Sequence, residues 1–462
     1  MKLLNLQTKG VTNAALILGI SSLASAVLGL LRDRLLAGRF GVGNELDIYY
    51  AAFRIPDFVS MVLMMGSISA ALVPMFGEYL TKNHQEAWKF FSNVLNMLLV
   101  FLIGACAILA IFTPQLMNLI TPGFSPEKKE LVVLLTRIMF LSPILLGTSN
   151  IISSILQVFG RFFITSICPI MYNIGIIIGI VWLYPVFGLA GLAWGVVLGA
   201  FLHLIIQISV LFKVGFKWKR IFSIDSSFKR MAILTIPRSI GLAAAQINSI
   251  VVTAFASTLA SGGLAVYSLS ESLSRPILIL TGISFSTAAF PQLALAFSKE
   301  NKEKFTQIFS ETSRKMMMLL IPSSLFLFLF REPIVSIILK VGKFGTTDLK
   351  MVATCLAMFS IGLFARAMDL FITRAFYALG DTRTPAKTSV VAMILNVAFC
   401  YLFIWLLSFD NVFFRFCVDF FHIGNSDGIQ IIGLPLAMAL SAILQLIVLY
   451  SAFRIRLRKL NE

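Results

Sequence analysis

Residues 25–76 read SAVLGLLRDRLLAGRFGVGNELDIYYAAFRIPDFVSMVLMMGSISAALVPMF, two strongly apolar segments around a short charged loop. The loop holds Arg32, Asp33, Arg34, Arg39, Glu45 and Asp47, while Arg54 and Asp57 lie inside the second apolar segment. Apolar runs of this length cross a bilayer as helices. Ionisable side chains at membrane depth face a protein interior or a water-filled cavity. The stretch predicts two membrane helices and one wall of a charged cavity.

The rest of the chain has the same character. Of its 462 residues, 58% are hydrophobic and 13% charged, whereas soluble domains carry about 25% charged residues. Apolar runs recur near 11–31, 47–77, 92–113, 130–157, 162–184, 188–212, 231–256, 263–297, 316–339, 351–378, 386–408 and 429–453. The expected fold is an all-α polytopic membrane protein of about twelve spans. Several runs exceed the ~20 residues of an upright helix, so tilt or kinks are expected. Pro56, Pro143, Pro237, Pro276 and Pro291 are natural places for them. Lys2 and Lys9 precede an apolar run without a small-residue cleavage site, so Val11–Leu31 reads as the first span rather than a cleaved signal.

The net charge of +17 lies mostly in short loops between apolar runs. That is the pattern of the positive-inside rule, not of a nucleic-acid footprint. The N-terminus, the even-numbered loops and the C-terminus hold about 21 Lys and Arg against about 9 in the odd-numbered loops. Both termini are therefore expected on the cytoplasmic side. The first loop runs against this trend, with three arginines on the expected outer side. The five cysteines form no C-x-x-C, and His84, His203 and His422 are scattered, so no metal site or disulfide framework is expected. No phosphate-binding loop or catalytic motif occurs, which argues against an enzyme and against ATP-driven transport.

The chain also echoes itself. Ser67, Ser69, Ala71 and Pro74 match Ser284, Ser286, Ala288 and Pro291 at one offset, and Lys82 and Lys299 continue it. Met139-Phe140 through Gly160 pairs with Met358-Phe359 through Gly380. Each echo lies six spans apart, which predicts two pseudo-symmetric six-helix lobes, in parallel, around a central cavity: a transporter architecture. The expected lobes are 1–212 (spans one to six) and 231–462 (spans seven to twelve), joined by a basic cytoplasmic linker, 213–230.

The informative in-span charges are Arg54, Asp57, Arg137, Arg238, Glu271, Arg275, Arg366 and Asp369. Glu271–Arg275 and Arg366–Asp369 are spaced to meet on one helix face, either as structural pairs or as gating charges. Arg238 and Arg137 have no acidic residue at helical spacing. Arginine forks onto phosphate oxygens and keeps its charge, so arginines in a cavity suit a phosphate-bearing ligand.

The motifs VLGLLRD (27–33), FGVGNELD (40–47), AFRIP (52–56), ALVP (71–74), TPGF (121–124), VGKF (341–344) and FYALGDTRTP (376–385) resemble, in order, those of the MurJ (MviN) lipid II flippases. That family belongs to the multidrug/oligosaccharidyl-lipid/polysaccharide exporter superfamily. The resemblance implies translocation of lipid II, undecaprenyl-pyrophosphate bearing a disaccharide-pentapeptide, across the bacterial inner membrane by alternating access. It also implies an association with cell-wall synthesis proteins. Carried over by position, Arg32, Asp33 and Asp47 fall on family cavity residues. The expected substrate-binding set is Arg32, Asp33, Asp47, Arg54, Arg238 and Arg275, with Glu271, Arg366 and Asp369 as structural or gating charges and no cofactor or metal. Coupling to the membrane potential or to an ion gradient is the expected source of energy.

This chain departs from the family pattern at Ala26, Ser60, Met61 and Met65, where family members carry charges, and near Glu271, where they carry arginine. Many members have fourteen spans, the last two forming a lipid-facing groove, against the twelve expected here. The missing charges keep a flippase for another undecaprenyl-linked oligosaccharide in view. A drug or cation antiporter fits less well, since 231–256 contains no Asp or Glu. A non-transporting membrane scaffold predicts that charge removal at Arg32 or Asp47 is silent.

Overall fold

The computed structural model describes residues 11–64, 67–423 and 428–461, and the side chains of 11–16, 18, 62–70, 232, 234–245 and 459–461 lie outside that description. The described residues form helices and no strand. Among the described residues each of the twelve apolar stretches is mostly helical, and nine helical segments are long and apolar enough to cross a membrane. The chain divides into two compact units: Met1–Leu36 with Ile48–Ile247, and Ala37–Asp47 with Asn248–Glu462.

The first helix, α1 (Val11–Phe40), does not stop where the apolar run ends. LLRDRLLAGRF is dominated by Leu, Arg and Ala, all good helix formers, so the helix continues through the three arginines. It ends at Gly41, which adopts a left-handed φ of +67° and so supplies the chain reversal that a side chain would resist. The charged loop expected between the first two spans is thereby reduced to residues 41–43. Within the second span the described residues form α2 (Asn44–Ala52), α3 (Arg54–Met64) and α4 (Ser67–Lys82). Pro56 causes the break between α2 and α3, because it has no N–H for the Ala52 carbonyl. The Thr136 hydroxyl donates to that carbonyl instead, at 3.3 Å.

The remaining helices of the first half are α5 (His84–Ile111), α6 (Thr113–Ile120), α7 (Pro126–Met139), α8 (Leu141–Val158), α9 (Phe162–Ile178), α10 (Tyr184–Phe187) and α11 (Leu189–Lys213). A π-helical turn, Gly179–Leu183, joins α9 to α10. Then follow α12 (Ser226–Ser257), α13 (Gly263–Ile277), α14 (Ser284–Ser298), α15 (Lys302–Leu329), α16 (Arg331–Leu339), α17 (Thr346–Ala378), α18 (Arg383–Leu406), α19 (Val412–Phe421) and α20 (Gly433–Asn461). A second π-helical turn, Leu278–Ile283, follows Pro276 between α13 and α14.

Laid side by side, the two halves repeat element by element. α4 and α14 begin at Ser67 and Ser284, and each carries an internal proline, Pro74 and Pro291. α5 and α15 are both 28 residues long, and each is capped by an asparagine side chain, Asn83 and Asn301. Pro126–Val158 and Thr346–Ala378 are both 33 residues long, and each precedes a glycine of positive φ, Gly160 and Gly380.

Each unit has its own aromatic core. Trp88 stacks on Phe159 with ring centres 5.6 Å apart, and Phe76 and Phe91 close the cluster. In the second unit Phe309 packs on Phe453 at 4.4 Å and on Phe371 at 5.2 Å. In the first unit α9 and α11 approach so closely that a β-carbon on Gly175 would collide with the Gly199 backbone. Small residues permit such contact where lipid supplies no hydrophobic drive between helices.

Candidate functional site

Arg32 and Asp33 lie on the part of α1 that extends past the apolar run. Arg32 donates from Nη2 and Nε to one Asp33 oxygen, at 2.8 and 3.0 Å. Asp33 is 1% exposed, whereas the Arg32 side chain retains a quarter of its surface. The third nitrogen, Nη1, reaches Asn173 Oδ1 at a long 3.4 Å. Asn173 is itself oriented by the Ser25 backbone carbonyl and hydroxyl and by the Pro169 carbonyl, which accept from its Nδ2 at 3.3, 3.2 and 3.1 Å. The carboxylate neutralises the guanidinium while leaving one of its forked edges weakly engaged.

Three tyrosines complete this cluster. Tyr49 and Tyr50 of α2 lie within electrostatic reach of Arg32, and Arg54, at the start of α3, acts on Tyr50. Tyr172 of α9 feels both Arg32 and Asp57. The Tyr50 hydroxyl is buried and has no hydrogen-bond partner among the described residues. Arg32, Asp33 and Arg54 are thus brought together in the first unit. The tyrosines are not singled out by the sequence, where the usable signal is the Tyr49-Tyr50 pair. Asn173, like Asn248 and Asn396, reads from sequence as a polar residue of a hydrated interior or of an interhelical hydrogen bond, and its bonds to Ser25 are of the second kind.

Asp47 belongs to the second unit. It is 2% exposed, and its two oxygens accept from the Gly262 and Ala265 amides at 2.8 and 3.0 Å. These are orphan N–H groups at the start of α13, so Asp47 acts as the helix cap and meets its dipole. A second carboxylate, Asp348, ties the same loop by accepting from Val42 at 3.3 Å and Gly345 at 3.0 Å. The Lys343 amide donates to the Gly38 carbonyl at 2.8 Å. Residues 37–47 are thereby stitched to the segments at 262–265 and 341–348.

The expected same-helix pairs are not among the ion pairs of the described residues. Glu271 of α13 pairs with Arg366 of α17 at 3.3 Å, rather than with Arg275 one turn on. Packing of α13 against α17 sets this choice, with the Ser270 hydroxyl donating to the Val352 carbonyl at 3.0 Å in the same seam. Asp369 is 8% exposed, and its Oδ1 has no hydrogen-bond partner among the described residues. Arg275 is exposed and makes no ion pair among the described residues. Arg238 lies on α12 and its side chain is outside the described residues, as is Met65. Arg137 donates to the Ala110 carbonyl at 3.0 Å. Asn396 donates to Asn248 at 2.7 Å, an interhelical bond between α18 and α12. No group of three or more His, Cys, Asp or Glu able to hold a metal occurs among the described residues.

Comparison with known proteins follows the same lines. A family model described as "Lipid II flippase MurJ" matches residues 36–462. The probable lipid II flippase MurJ of Buchnera aphidicola subsp. Acyrthosiphon pisum is 31% identical over 389 residues, 82% of this chain and 75% of that protein. A solved lipid II flippase MurJ in an inward closed conformation superposes with a TM-score of 0.78 at 25% identity, over 95% of this chain and 87% of the other. An inward-facing MATE family multidrug transporter of the MOP superfamily shares the fold, with a TM-score of 0.77 at 15% identity over 94% and 95% of the two chains.

Proposed function

The chain belongs to the lipid II flippase MurJ family, and from that premise we propose that it carries lipid II across the bacterial inner membrane by alternating access, with both termini cytoplasmic. The alternatives weighed from the missing charges are not favoured by the family match. In this reading the chain works by binding and conformational exchange.

The observation that carries the reading at residue level is the environment of Arg32. Its charge is held by Asp33, and its Nη1 makes only the long contact with Asn173. The buried, unpartnered hydroxyl of Tyr50 belongs to the same electrostatic cluster. A pyrophosphate is a chelating acceptor, and guanidinium–phosphate bonds are among the strong charge-assisted kind. In this reading Arg32 exchanges its contact with Asn173 for a pyrophosphate oxygen, Tyr50 donates to a second oxygen, and Asp33 keeps the guanidinium oriented. The polyprenyl chain remains in lipid, where its burial costs nothing. Arg54 joins this site, and Arg238 and Arg275 are the further arginines assigned to headgroup contact. Asp47 contributes by fixing the loop at 40–47. The Glu271–Arg366 pair and the buried Asp369 serve as structural or gating charges. The membrane potential or an ion gradient biases the cycle, and cell-wall synthesis proteins supply and receive the substrate.

Complementation of a lipid II flippase depletion strain tests this. Expression of the chain should restore growth, Arg32→Ala should abolish rescue, and Lys302→Ala should not. A well-inserted wild-type chain that fails to rescue would overturn the function. Equal effects of the two substitutions would overturn the site.

A further inference from the structure

The stretch that leaves α11 at Lys213 and enters α12 at Ser226 is held as a strap rather than hanging free. Phe216 plugs into the aromatic core, 5.5 Å from Trp88 and 5.2 Å from Phe91 between ring centres. Asn93 of α5 clamps Ser223 in both directions, donating to its carbonyl at 2.7 Å and accepting its amide at 2.8 Å. Asn96 donates to the Lys219 and Ile221 carbonyls at 2.8 and 3.0 Å and accepts the Trp218 indole N–H at 2.9 Å. Under this strap α5 is buried at every residue from Phe90 to Asn96.

The clamp fixes which side chains face outward. Phe216 is buried and Lys219 and Ile221 are half-buried, while Lys217, Trp218, Arg220, Phe222 and Ile224 are exposed. Trp218, Phe222 and Ile224 keep 56%, 54% and 64% of their surface. Lys213, Lys217, Lys219 and Arg220 give residues 213–224 four positive charges and no negative one. The nearest acid, Asp225, is engaged in capping α12 through the Phe228 amide at 2.8 Å. All of this begins at the last residue of a helix long and apolar enough to span the bilayer.

We propose that the outer face of the strap is an interfacial binding site for anionic phospholipid, with Trp218, Phe222 and Ile224 set among the acyl chains and Lys217 and Arg220 on the headgroup phosphates. An indole whose N–H is satisfied by Asn96 and whose ring is exposed suits the headgroup boundary, where tryptophan collects. Basic clusters just outside a span attract anionic lipid, and each charge contributes separately. The strap is held by the protein before lipid arrives, so little ordering entropy opposes binding.

The test uses the full chain in phosphatidylcholine vesicles doped with brominated phosphatidylglycerol or brominated phosphatidylcholine. Emission from Trp218 is taken as the difference between wild type and Trp218→Phe. Brominated phosphatidylglycerol should quench it several-fold more strongly, and added salt should erode that preference. Lys217→Gln with Arg220→Gln should remove most of that preference. A second readout needs no tryptophan replacement: phosphatidylglycerol retained through detergent washing should fall in the same double variant. Equal quenching by the two lipids, quenching by neither (the strap facing water or a protein), or unchanged retention would each overturn the proposal.

Discussion

Asp47 takes the Gly262 amide at 2.8 Å on one oxygen and leaves its other oxygen to Ala265, so a residue expected in the substrate site is spent on a helix terminus 215 positions away. Gly262 has φ +85°, and a β-carbon there would stand 2.7 Å from the Val42 side chain. Glycine is therefore required both by conformation and by the closeness of the loop it helps to hold.

Replacing the cap separates its two possible roles. Removing a capping carboxylate costs about 1–2 kcal/mol, so Asp47→Ala should lower the unfolding temperature of the purified protein, with Asp47→Asn in between because it keeps one acceptor. Loss of rescue with an unchanged unfolding temperature would mean that Asp47 contacts substrate instead.

Arg32 is read by the size of its effect and by what lysine does there. Hydrogen bonds to charged groups contribute roughly 1.5–3 kcal/mol each, so Arg32→Ala should weaken headgroup binding at least ~10-fold. Arg32→Lys keeps the charge but cannot fork, and should restore only part of it. Binding of a water-soluble lipid II analogue to the purified variants measures both. Full recovery by lysine would reduce the role of Arg32 to charge alone.

The spans and their repeat were legible because length and hydropathy fix membrane helices locally. Ser67 and Ser284, or Pro74 and Pro291, mark equivalent turns without reference to anything distant. The partners of the charged residues were not legible in the same way. Helical spacing offers Arg275 to Glu271, yet the α13–α17 seam presents Arg366, and no local rule ranks a neighbour on the same helix against one 95 positions away. The extension of α1 through Phe40 was hidden for a related reason. Charge was read as a loop signal, although Arg, Leu and Ala are all good helix formers.

The Glu271–Arg366 pair, with side chains 18% and 19% exposed, predicts asymmetric mutational effects. Removing one partner leaves the other charge partly buried, so the double replacement of Glu271→Gln with Arg366→Gln should destabilise by less than the sum of the two single ones. Residues in contact show coupling of about 0.5–3 kcal/mol. A double-mutant cycle on unfolding in detergent should return a value in that range. A value near zero would show the pair to be incidental.

The strap makes its own prediction for proteolysis. Lys217, Lys219 and Arg220 are trypsin sites on backbone clamped by Asn93 and Asn96. Cleavage requires local opening, whose free energy the clamp sets. Asn93→Ala with Asn96→Ala should speed trypsin cleavage between 217 and 220 by at least ~10-fold, since each lost bond contributes about 0.5–1.5 kcal/mol. Unchanged cleavage would mean that Phe216 and the Lys219 amide on the Ser92 hydroxyl hold the strap without the asparagines.

Asp381, in the turn between α17 and α18, gives the clearest dependence on pH. Slight burial pushes its carboxyl upward, but the Thr384 amide and hydroxyl, the Arg383 amide and the charge of Arg456 outweigh that and hold it below the usual carboxylate range. The bonds are 3.0 Å from each amide and 2.7 Å from the hydroxyl. A depressed folded value contributes stability above the unfolded carboxyl, near 3.9, and that contribution is lost as pH falls through the folded value. Hydrogen exchange at the Arg383 and Thr384 amides should therefore be slow at neutral pH relative to Asp381→Ala. The difference between the two proteins should shrink steadily below about pH 4. A difference that persists undiminished in acid would assign the protection of this turn to packing around Pro385 rather than to the carboxylate.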